Sequence, residues 1–134
     1  SGAAGGLGFG LMTFLKAHLQ SGIETVLDIV DFDNVIKDCD LVISGEGRID
    51  HQSMYGKVPT GVSQRAKKYG VDTVCIVGSI GENVGDIYDC ITTIESCIDH
   101  CCSLENALEN ANENVYKAAF RLARSIQLGQ KMRH

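Results

Sequence analysis

The stretch Leu41–Val77, LVISGEGRIDHQSMYGKVPTGVSQRAKKYGVDTVCIV, decides the fold. It opens on a short apolar run, Leu41–Ser44, bounded by Asp40 and Gly45, which is the mark of a buried strand. It closes on Thr73–Val77, TVCIV, the clearest strand signal in the chain. Between them lies a polar loop, GEGRIDHQSMYGK, and then a helix. Pro59, the only proline, suits a helix start. Val58, Val62, Ala66 and Tyr69 repeat at helical spacing as its inner face, and Gly70 is its stop. Strand, helix, strand in that order reads as one crossover of a parallel sheet.

Upstream, Gly5–Gly8 leads into a helix whose buried face is expected at Leu7, Leu11, Phe14, Leu15 and His18. Ser21 with Glu24 reads as a capping box for a second helix carrying Ile23, Val26, Leu27 and Val30. Asp33–Lys37 continues as a further helical turn. Downstream, Val77 runs into a second glycine-bearing loop, GSIGENVG, and Ile91–Ile94 is a weaker third strand. Ser103 then caps a long helix with an apolar stripe at Leu104, Leu108, Ala111, Val115, Ala118, Leu122 and Ile126, read as packing against the sheet or as an oligomer interface. Residues 1–134 thus form a single α/β unit, a three-layer α/β/α arrangement around a mostly parallel sheet.

Composition narrows the function classes. The chain is 44% hydrophobic and 22% charged, as expected of a folded globular domain rather than a disordered one. Its net charge of −5 comes without a Lys/Arg cluster, which argues against a nucleic-acid surface. No apolar run approaches the ~18 residues of a membrane span, and no signal-peptide pattern is present. The six cysteines, at 39, 75, 90, 97, 101 and 102, are irregularly spaced and read as reduced thiols of a cytoplasmic protein. Cys97, His100, Cys101 and Cys102 lack the paired C-x-x-C of zinc sites. Beginning on a glycine-rich loop, the chain is expected to be part of something longer.

Ligands of such sheets bind at the carboxyl ends of the strands. Both glycine-bearing loops leave that edge, so GEGRID and GSIGEN are expected side by side. Glu46, Arg48 and Asp50 concentrate charge there. Carboxylates suit Mg²⁺ or a base that accepts a hydroxyl proton, and Arg suits phosphate or carboxylate. Gly45 and Gly47 would permit a sharp turn or close approach to a ligand. An ordinary solvated turn with a local salt bridge is the other reading. Lys57 stands at a helix entrance, as a phosphate contact or as a plain surface lysine. SGAAGGLG is either a phosphate cradle or a tightly packed helix start. Neither G-x-G-x-x-G nor G-x-x-x-x-G-K-[ST] occurs in the chain.

The order GAAGGLG, then DLVISGEGRIDHQSMYGKVPTGV, then a strand ending in Gly78-Ser79, then SLENAL resembles the glycerate kinase family of the bacterial glyoxylate and sugar-acid pathways. The GEGR-[hydrophobic]-D…GK-x-P stretch carries most of that resemblance, which runs from Gly2 to about Leu108. It implies the C-terminal part of a larger two-domain enzyme that moves a phosphoryl group from ATP to D-glycerate with Mg²⁺. By position, Gly5, Gly6 and Gly8 match the glycine-rich loop, and Glu46, Arg48, Asp50 and Lys57 match the charged motif. The resemblance implies Asp50 as base or metal ligand, Glu46 as metal ligand, and Arg48 or Lys57 on phosphate or the glycerate carboxylate. The competing expectations are a nucleotide- or NAD-binding module without chemistry, and a non-catalytic assembly domain that forms a homo-oligomer.

Overall fold

A computed structural model describes residues 3–54 and 56–133 of the chain; Ser1, Gly2, Tyr55 and His134 lie outside the described residues. Three parallel strands form one sheet in the order β1 (Leu41–Ile49), β2 (Asp72–Ile80), β3 (Thr93–Ser96). Around it stand α1 (Leu7–Leu15), α2 (Gly22–Ile29), α3 (Phe32–Ile36), α4 (Val58–Lys67), α5 (Leu104–Glu109) and α6 (Ala111–Met132). Successive side chains of a strand point to opposite faces. Val42 packs with Ile36, Ala66 and Val71 under α3 and α4, while its neighbour Ile43 lines a groove walled by α5 and α6. The helices therefore flank the sheet on both sides, the three-layer α/β/α arrangement read from the sequence.

Local chemistry explains the helix ends. Lys57 is the N-cap of α4 in an extended conformation, with Pro59 just inside, where a missing N–H costs nothing. Gly70 adopts φ +71° after α4, a left-handed stop that favours glycine. The hydroxyl of Ser21 accepts from the Glu24 backbone N–H at 3.4 Å. Glu24 does not complete a capping box, because its carboxylate is drawn to Arg65.

Arg65 is the main polar tie between helices. It is only 9% exposed and reaches Glu24, Asp28 at 2.8 Å and Asp33 at 3.0 Å, joining α4 to α2 and α3. The Asp28 carboxyl lies below the usual carboxylate range because of hydrogen bonds from Gln20 first and Arg65 second. Asp33 is lowered by the Tyr69 hydroxyl first and Arg65 second. A depressed folded pKa adds stability above the unfolded value of ~3.9, and that stability drains away as pH falls below it. The melting temperature should therefore drop between roughly pH 5 and pH 3, and Arg65→Met, having lost one donor to each carboxyl, should drop by less across that window. Calorimetry at stepped pH checks this; equal losses in both proteins would refute it.

Three expectations need correction. GEGRI is not a loop: β1 runs on through Ile49, and β2 likewise extends to Ile80, because each strand supplies hydrogen bonds to the other along their length. Glycine and charge weaken strand propensity, but cross-strand pairing overrides it. The face expected to bury α1 is uncovered: none of its residues is buried, Phe14 is 83% exposed, and His18 falls beyond the helix. Among the described residues Leu19 comes against the helix at Gly8, and that leaves Leu7, Phe14 and Leu15 exposed. Finally, the long C-terminal helix is two, broken at Asn110. Only the middle of its stripe is buried, at Ala118 and Leu122. Arg121 fastens α6 to the sheet through Glu95 at 2.6 Å and the Ser96 carbonyl at 2.9 Å.

Candidate active site

The ends of β1 and β2 are locked together. The Gly81 N–H donates to the Ile49 carbonyl at 2.7 Å. A side chain on Gly81 would meet the Asp50 Cβ at 2.9 Å and the Arg48 guanidinium at 3.2 Å. One step back, Gly78 lies against the Gly47 carbonyl so closely that a Cβ would fall 2.4 Å from its oxygen. GEGRID and GSIGEN are thus neighbours at the carboxyl edge of the sheet, as expected, though mostly as strand rather than loop.

Asp50 turns the chain out of β1. Its Oδ1 accepts from the Gln52 N–H at 3.0 Å, and its own N–H donates to the Ser53 hydroxyl at 3.1 Å, capping the 3-10 turn His51–Met54. Its Oδ2 faces the Arg48 Nε at 3.7 Å. The Asp50 side chain is largely sheltered and that of Arg48 largely exposed. Ser53, fully buried, passes the connection on. The Thr60 hydroxyl bonds the Ser53 carbonyl at 2.7 Å and the Lys57 carbonyl at 3.1 Å. The turn at Asp50 and the helix entrance at Lys57 are therefore one braced corner.

Of the expected residues, the structure brings Arg48, Asp50 and the Lys57 entrance to this corner. Glu46 stands apart. With a strand rise of ~3.3 Å per residue, its backbone lies roughly 13 Å from that of Asp50 along the chain. Glu46 Oε1 accepts from the Gly47 N–H at 3.0 Å, and its charge, after burial itself, helps push the Cys75 thiol up to about 11. Among the described residues no three metal-ligating side chains are gathered. Gly45 and Gly47 are not turn residues, since neither has a positive φ; Gly45 allows close approach to the Ile76 carbonyl, whereas a Cβ on Gly47 would meet nothing within 4 Å. Gly5 and Gly6 do adopt left-handed backbone, at φ +64° and +83°, and Gly6 caps α1. Gly8 sits inside α1 against Leu19. No hydrogen bond or ion pair among the described residues links this segment to the Asp50 corner.

Sequence reading missed Ser53, Thr60 and Gly81 as parts of the corner. The Asp50-x-x-Ser53 spacing is a capping signature that could have revealed the first. The contact made by Gly81 is long-range and leaves no local signal. All six cysteines are free thiols. No helix of the described residues is long and apolar enough to cross a membrane.

A groove of about 530 Å³ adjoins the site, lined by Ser44, Glu46, Gly47 and Ser79 at the sheet and by apolar side chains of α5 and α6. Comparison with known proteins then identifies the fold's relatives. The sequence profile of the glycerate kinase family matches residues 1–127. Glycerate kinase of Bacillus subtilis (strain 168) is 44% identical over 133 residues, covering 98% of this chain and 35% of that protein. Glycerate 2-kinase of Escherichia coli (strain K12) is 42% identical over 132 residues, covering 98% and 35%. The crystal structure of a Salmonella typhimurium LT2 protein assigned as glycerate kinase 2 superposes with a TM-score of 0.72 at 42% identity, over 98% of this chain and 33% of that one. The chain spans about a third of the length of these relatives. On the breadth of that match, it belongs to the glycerate kinase family.

Proposed function

We propose that this chain supplies one wall of a cytoplasmic glycerate kinase active site, where a phosphoryl group passes from ATP to D-glycerate, and that the 134 residues alone are inactive. The observation that supports this most is the braced corner: one carboxylate, Asp50, and the cation Arg48 of the family motif meet beside the helix entrance at Lys57, where parallel sheets bind ligands. Phosphoryl transfer asks chiefly for positioning and charge neutralisation. Asp50, sheltered and held by its turn, suits a base that accepts the glycerate hydroxyl proton as the oxygen attacks phosphorus. Arg48, with an exposed guanidinium, suits the glycerate carboxylate or a phosphate oxygen. Lys57, at the entrance of α4, suits phosphate. Gly5, Gly6 and Gly8, at the start of α1, are the proposed cradle for the nucleotide's phosphates.

The donor set fits Mg²⁺ in one way only. The strand spacing between Glu46 and Asp50 argues against a two-carboxylate cage, and Mg²⁺ commonly takes one protein carboxylate with waters and phosphate oxygens. Asp50 would then hold it in place of serving as the base, and Glu46 would act on its water shell. When bound, the ion neutralises charge on the phosphates.

The test is a coupled ADP-release assay with Mg-ATP and D-glycerate. It compares the 134-residue chain with a family-length chimera in which these residues replace the matching third of the Bacillus subtilis protein. Glycerate-dependent turnover is expected from the chimera and none from the 134 residues. A chimera that folds but releases no ADP would overturn the reaction, and turnover by the short chain would overturn its dependence on the rest.

A further inference from the structure

We infer that the groove between β1 and the α5–α6 pair is an interface for a segment of the two-thirds of a family-length chain that these residues do not match. The inference rests on family membership, not on the proposed reaction. Four observations point there. Ile43 on β1 is 58% exposed, and Leu104 and Leu108 on α5 are 74% and 67% exposed, yet all three line the same hollow. With Ile76, Ile98 and Val115 they make its helix side apolar, while Ser44, Glu46 and Ser79 stand at its sheet end; the apolar part is a surface that a folded chain buries. The helical wall is interrupted at Asn110, with α5 ending at Glu109 and α6 starting at Ala111, and residues of both pieces line the hollow. The strand bordering it, β1, is the edge of a parallel sheet, and parallel sheets are buried on both faces. Relatives of about three times this length supply the occupant.

The committed occupant is thus apolar polypeptide from the remainder of the family chain, not nucleotide and not a second copy. Hydroxyl-radical footprinting reads it directly, since oxidation of Leu and Met reports exposure. Leu104 and Leu108 should oxidise readily in the 134-residue chain and about fivefold or more slowly in the family-length chimera, where the interface is closed. Leu128 and Met132, exposed elsewhere on α6, serve as controls. Equal rates at Leu104 and Leu108 in the two proteins would overturn the proposal. So would protection of those residues in the short chain by Mg-ATP, or by raised protein concentration with a dimer in sedimentation. A second measurement guards against misfolding: Leu108→Asp should leave the melting temperature of the short chain unchanged and lower that of the chimera. An unchanged chimera would also refute the interface.

Discussion

Asp50→Asn in the family-length chimera is expected to lower kcat for glycerate by ~10²–10⁴-fold while KM changes little, the range in which a positioned acid–base group contributes. The substitution is informative because of how Asp50 is held. Its Oδ1 takes a backbone N–H from Gln52 at 3.0 Å, a bond that the amide oxygen of Asn can keep. Its Oδ2 faces Arg48 at 3.7 Å, and there Asn puts an uncharged NH₂ that can neither accept a proton nor neutralise a cation. Turn geometry should therefore survive while charge and basicity vanish. If Asp50 were only a brace for the turn, the folded variant would keep kcat within about threefold of the parent, far short of the catalytic range. Steady-state kinetics on protein of unchanged thermal stability separates the two.

Gly78→Ala should be the most damaging single-methyl change in the sheet. The new Cβ would lie 2.4 Å from the Gly47 oxygen, and that neighbour is backbone, which cannot swing aside like a side chain. Either β1 or β2 must shift, at a cost of about 1–3 kcal/mol by analogy with overpacked cores, or roughly 4–12 °C in melting temperature for a chain of this length. Gly47→Ala is the matched control: a Cβ there meets nothing within 4 Å, so its effect should be small. Thermal denaturation of the pair decides the point, and equal losses would show that the strand contact is not what limits position 78. In the chimera the same shift would drag Arg48 and Asp50 with β1, so activity should fall at Gly78→Ala even below its melting temperature.

The crossover β1–α4–β2 was legible because each of its parts is locally encoded: apolar runs for strands, a proline at the helix entrance, a glycine at its stop. Strand ends were not legible. Gly45, Glu46, Gly47 and Arg48 are poor strand formers in isolation, and only the partner strand, thirty residues away, makes them extended. The same gap misled the reading of the candidate site. Four charged and glycine residues read as a compact loop would have put Glu46 beside Asp50, whereas an extended strand parts them. For α1 and α5 the apolar spacing predicts a buried face, yet among the described residues Phe14, Leu104 and Leu108 stand exposed. Periodicity tells which face is apolar; it does not tell what covers it.

The corner built by Arg48, Asp50, Ser53, Lys57, Thr60 and Gly81 is contained in a single strand–helix–strand segment of about forty residues, Leu41–Gly81. Every hydrogen bond that braces it is drawn from within that segment. Apart from the Gly81 bond to Ile49, these bonds span fewer than ten residues, so most of the corner is closed locally. It can be exchanged whole between homologous genes by one recombination event, carrying its geometry with it while the surfaces around it diverge.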